Sequence, residues 1–167
     1  MNLSWLEISK SALLNNVAQI RKNLKPQTKF IAVVKANAYG HGILEVSSII
    51  KNKVDYFAVY DFDDAVLLRK NKITKPILVL GRIFPNQIKL AQKHDIEVSV
   101  SSLDILEAAA KSNSKQKLKI HICIDSGLGR DGFLKKDFTQ ISKISHKNNL
   151  EIVGLYTHFS APDDSPN

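Results

Sequence analysis

Apolar and polar positions alternate along this chain in two different periods. Six short runs have the length of a β-strand: KFIAVV (29–34), DYFAVY (55–60), PILVL (76–80), IEVSV (96–100), KIHICI (119–124) and EIVGLY (151–156). Between them the period lengthens to that of a helix. Leu13, Val17, Ile20 and Leu24 form an amphipathic stripe after a capping Ser9, and Pro26 stops it. Further helices are predicted over 64–71, over 85–94 with Pro85 in its first turn, over 103–111 capped by Ser101 or Ser102, and over 135–148, the longest. Residues 3–8 alternate as a short strand would.

Strands that alternate with helices imply a parallel sheet covered by helices. The runs are nearly all apolar, as strands buried on both faces are. An open doubly wound sheet and an eight-stranded barrel both fit, and the pattern alone does not choose. Six core strands precede a polar tail, SAPDDSPN, so a barrel would be unfinished. No linker or repeat divides the chain, and residues 1–167 are read as one domain portion.

The length of 167 residues and an apolar share of 44% permit a real core, and the formal net charge is +8. The lysines are dispersed and few aromatics lie among them, so the charge is read as solvated and not as a nucleic-acid surface. Cys123 is the only cysteine, which excludes a disulfide framework; the five histidines miss zinc-motif spacings, and no metal is expected. No apolar run approaches the ~20 residues that span a bilayer. A soluble, cytoplasmic protein with no membrane partner is expected.

The candidate chemistry gathers at the ends of the apolar runs. Lys35, Tyr39 and His41 follow the first, in VVKANAYGHG; Asp125 and Arg130 follow the fifth, in IDSGLGRDGF; His158 follows the sixth, in GLYTHFS. Taken singly, each has an ordinary explanation. Lysine can snorkel, the glycines can serve a turn with positive φ, and arginine, histidine and tyrosine often pair or pack. In either architecture, however, ligands collect at the carboxyl ends of the strands. A lysine, an arginine, a histidine and a tyrosine there suit an anionic ligand with a carbonyl-like centre, and a desolvated lysine beside other cations is a nucleophile for Schiff bases.

These motifs resemble those of alanine racemase, a pyridoxal-phosphate enzyme family. VVKANAYGHG is similar to the family's cofactor-lysine motif, and GLYTHFS and IDSGLGRDGF to two others; ILVLG at 77–81 and the opening WLEISKSALLNN also fit. The resemblance runs over 5–163 and implies the (β/α)8 barrel, here with about six core strands and without the family's C-terminal β-domain. It implies that Lys35 carries pyridoxal 5'-phosphate as an imine and acts as one of two acid/base groups. Tyr39 would bind the cofactor phosphate, Arg130 would reach its phenolic oxygen, and His158 would lie by its ring; His41 receives no chemical role. The implied reaction is interconversion of L- and D-alanine by removal of the α-proton on one face and its return on the other, D-alanine serving the cell wall. The second acid/base group would be a tyrosine of the partner subunit's β-domain, in a homodimer. That tyrosine and the arginine facing the pyridine nitrogen lie outside this sequence, so little or no activity is expected of the chain alone.

Two positions depart from the family pattern. Cys123 stands where many members carry a lysine, sometimes carbamylated, and a thiol cannot hold that carbamate. Asp131 replaces a frequent leucine and is placed to pair with Arg130 or Lys135. Rival readings are a non-catalytic barrel that binds the same cofactor and a racemase for another amino acid such as serine.

Overall fold

A computed structural model of the chain describes residues 4–146 and 149–161. Two compact units divide it, Met1–Gly81 and Arg82–Asn167. In the first, the Ser9 hydroxyl accepts the Ala12 N–H at 3.3 Å and starts helix α1, Lys10–Asn23, as expected from its capping position. Of its apolar stripe only Val17 is buried, while Ile20 stays 47% exposed. Among the described residues, the strand expected at 3–8 is not formed. Residues 4–7 are exposed and pair with no ladder, and an isolated strand has nothing to hold it.

Three parallel strands follow in chain order: β1 (Ile31–Val33), β2 (Tyr56–Val59) and β3 (Ile77–Val79). Helices α2 (Ile43–Ile50) and α3 (Phe62–Lys70) connect them. Helix α2 has no counterpart among the expected helices, because the glycine-rich motif before it hides its start. It nonetheless buries Ile43, Val46 and Ile50. Phe57, Val59, Leu68, Ile77 and Val79 form a core with essentially no exposed surface. Each such side chain contributes about 1.5–3 kcal/mol through its removal from water.

The second unit repeats the winding. A 3₁₀ turn at Pro85–Gln87 leads into α4 (Ile88–Lys93), then β4 (Glu97–Val100), α5 (Leu103–Ala110) and β5 (Leu118–Ile124). Another 3₁₀ turn, Lys135–Asp137, precedes α6 (Phe138–Ser145), and β6 (Leu150–Thr157) follows. Strands β4, β5 and β6 are parallel and again in chain order, with an irregularity between Ile120 and His121. Ser102 takes the N-cap position of α5, but its hydroxyl turns to the Asp104 carboxylate. The helix expected over 135–148 is shorter at its start, and its expected end falls on residues 147–148, outside those described; α1, with 14 residues, is longer than the 8 of α6.

Within each unit the strands follow chain order, with no reversal. A doubly wound sheet reverses its order at a switch point, whereas a barrel does not. The fold is α/β of the (β/α)8 type, carried here through six core strands. One expectation is corrected: β1 and β6 are not buried on both faces. Ile31 and Val33 are 38% and 41% exposed, and Leu155 is 64% exposed.

Candidate active site

Val34 is buried and its N–H still donates to the Ala58 carbonyl of β2, at 2.8 Å. Lys35 is the next residue, half-buried at the carboxyl end of β1. The backbone then turns left-handed. Ala36, Asn37, Ala38 and Tyr39 have φ of 51°, 54°, 53° and 55°, and Gly40 continues at 86°. For residues with a Cβ this conformation costs about 1–2 kcal/mol each, and a run of four is rare. Hydrogen bonds hold it: Ala38 N–H to the Val34 carbonyl at 3.0 Å, Gly40 N–H to Ala36 at 3.0 Å, and His41 N–H to Ala38 at 3.1 Å. The His41 ring adds a contact from Nδ1 to the Ala38 carbonyl at 2.9 Å. The sequence motif thus encodes a strained turn with Lys35 at its head and an exposed Tyr39 at its foot. Propensity alone would not assign alanine and tyrosine to that conformation.

In the second unit, β5 ends at Ile124, and Asp125 opens the loop that carries Arg130. The Asp125 carboxylate accepts the N–H of Gly127 at 2.9 Å and of Gly129 at 3.0 Å. The bond from Gly127, then that from Gly129, holds this carboxyl below its usual range. Gly132 closes the loop with φ of 131°; a Cβ there would lie 2.4 Å from the Asp125 nitrogen. The glycines of this motif therefore serve backbone conformation, as their ordinary explanation had it. Arg130 is exposed, and its Nε lies 3.5 Å from Asp131 Oδ2, so the unusual aspartate faces Arg130. His158 is exposed immediately beyond β6. Thr157 and Ser126 share a hydroxyl hydrogen bond of 2.7 Å, which ties the end of β6 to the Arg130 loop.

Below that loop lies a polar stripe that the apolar reading of these strands missed. Register places Ser99 beside His121, His121 beside Gly154, and Cys123 beside Tyr156. Glu97, two residues before Ser99, shares the face. His121 Nε2 and Glu97 Oε2 are 2.6 Å apart and both side chains are buried. Gly154 makes room for the ring, since a Cβ there would sit 2.2 Å from His121 Nδ1. Ser99 Oγ and Tyr156 Oη are 2.6 Å apart, and burial pushes the Tyr156 hydroxyl up to about 12. Cys123 donates to the Asp131 carbonyl at 3.7 Å, and burial raises its thiol. The signal was present in the alternation of E-V-S-V and K-I-H-I-C.

In the first unit a lysine and a tyrosine share the turn at the carboxyl end of β1, in the second an arginine and a histidine follow the carboxyl ends of adjoining strands, and the protein class the fold defines is the β/α barrel. Residues 8–167 match the family described as alanine racemase, N-terminal domain, and the chain belongs to that family. It is 43% identical over 166 residues to the alanine racemase of Methanococcus maripaludis, covering 96% of this chain and 44% of that protein. The crystal structure of alanine racemase from Bacillus anthracis with bound L-Ala-P superposes with a TM-score of 0.88 at 35% identity, over 94% of this chain and 42% of the other. Histidine racemase from Leuconostoc mesenteroides subsp. sake gives 0.81 at 30% identity, over 90% of this chain and 41% of the other. The chain spans less than half the length of these relatives.

Proposed function

We propose that residues 1–167 are the N-terminal portion of the barrel domain of a pyridoxal-phosphate-dependent amino-acid racemase acting on alanine. The observation that carries this is Lys35, half-buried at the head of a left-handed turn at the carboxyl end of β1, with Tyr39 on the same turn. These residues fit the cofactor. Lys35 offers a primary amine that is neither sealed in the core nor loose on the surface, and Tyr39 offers an exposed hydroxyl to a phosphate. Pyridoxal phosphate supplies an electron sink that lets the α-proton of an amino acid leave. Lys35 would hold the cofactor through its Nζ, and its free amine would be the group to take or return that proton on one face. By the family resemblance Arg130 would donate to an oxygen anion of the ring and His158 would line the ring's surroundings, with Asp131 facing the Arg130 guanidinium at 3.5 Å. Cytoplasmic supply of D-alanine for the cell wall, in a homodimer, completes the reading. Among the described residues no helix is long and apolar enough to cross a membrane.

The likeness to a histidine racemase favours a second reading, the same chemistry on a larger amino acid. The test common to both is to add pyridoxal phosphate to the purified chain, fix it with borohydride and map the modified lysine by mass spectrometry. Lys35 is expected to carry most of the label, and Lys35→Ala to abolish the selective component. Label scattered over the surface lysines would overturn the claim that this chain holds the cofactor.

A further inference from the structure

The left-handed turn persists only if its surroundings over-determine it, because each residue with a Cβ would relax to a right-handed or extended conformation. Most of the bonds that hold it are local and backbone-only. One residue does more. Asn37 accepts twice on the incoming chain of α2: its carbonyl oxygen takes the Gly42 N–H at 2.9 Å, and its side-chain Oδ1 takes the Ile43 N–H at 2.9 Å. Gly42 is the N-cap of α2 and Ile43 its first residue, so the two bonds anchor the turn to the helix start. Ile43 is 4% exposed and packs in the core, which makes that start a fixed point. Asparagine is also, of the four residues with positive φ, the type most tolerant of that conformation.

We infer that Asn37 is a positioning residue for Lys35 and Tyr39, a clamp that keeps the lysine-bearing turn left-handed by tying it to the buried end of α2. The inference rests on the reading of Lys35 as the cofactor lysine, but the clamp itself can be measured without cofactor. Three variants separate its parts. Asn37→Asp keeps the side-chain acceptor. Asn37→Gly removes it while easing the positive φ. Asn37→Ala removes it and leaves the φ strained.

The first readout is amide hydrogen exchange at Ile43 and Gly42. Exchange should speed at least tenfold in Asn37→Ala and Asn37→Gly and return towards the parent value in Asn37→Asp, while core amides of β2 and β3 stay protected. Unchanged exchange at Ile43 in Asn37→Ala overturns the clamp, whatever Lys35 does. The second readout is the share of borohydride-fixed pyridoxal phosphate found on Lys35. That share should fall several-fold in Asn37→Ala and Asn37→Gly and recover in Asn37→Asp. If the parent chain labels Lys35 and Asn37→Ala does so equally, the positioning role fails although the cofactor reading stands. If the parent chain does not favour Lys35, the cofactor reading fails and the positioning role falls with it, leaving amide exchange to decide the clamp.

Discussion

Single residues decide how closely the strands of the second unit can approach. Gly154 is the example, because the His121 ring lies across its Cα, and the ring in turn meets Glu97. Gly154→Ala is expected to destabilise the chain by about 1–3 kcal/mol through overpacking. A denaturant midpoint equal to that of the parent would show that the ring can move aside without loss. Cys123 gives a second residue-scale expectation. Its thiol is buried and raised by that burial, so it should resist alkylation at neutral pH until denaturant is added. Rapid alkylation of the folded chain would contradict its placement.

At the scale of elements, the entry to β1 depends on one carboxylate. Asp55 Oδ2 accepts the Phe30 N–H at 2.7 Å and meets the Arg21 guanidinium of α1, so it joins the helix, the start of β1 and the start of β2. The Phe30 bond, then that of Arg21, holds the carboxyl below its ordinary value of 3.8. A carboxyl that is lowered in the folded state stabilises above its unfolded value, and that contribution is lost as pH falls through the lowered folded value. Stability of the parent chain should therefore decline on acidification below about pH 4, and Asp55→Asn should flatten that limb. Both groups are more than a third exposed, so solvent screening keeps the effect small, within about 1 kcal/mol. An unaltered acid limb in thermal melts of the variant would assign the loss to other carboxylates.

At the scale of the whole molecule, β1 pairs only with β2 and β6 only with β5 among the described residues. Their exposed apolar side chains, Ile31 and Val33 on one and Ile152, Val153 and Leu155 on the other, leave sheet edges open to association. Sedimentation of the 167-residue chain should show concentration-dependent self-association, weakened by Leu155→Lys. A monomer across the accessible concentration range would show that these edges are protected.

The sequence by itself determined the repeating β/α order and the six strands to within two residues at each end, because burial on the sheet forces apolar runs whatever their neighbours do. It also determined the family, since its motifs demand particular side chains at particular spacings. The tertiary structure alone decided that 4–8 is no strand, that a helix begins at Ile43, and that the residues after Lys35 wind left-handed. Those outcomes depend on partners distant in the chain or on hydrogen bonds that override local preference. The stripe of Glu97, Ser99, His121 and Tyr156 belongs to the same class: each was visible as a letter, but only strand register put them on one face.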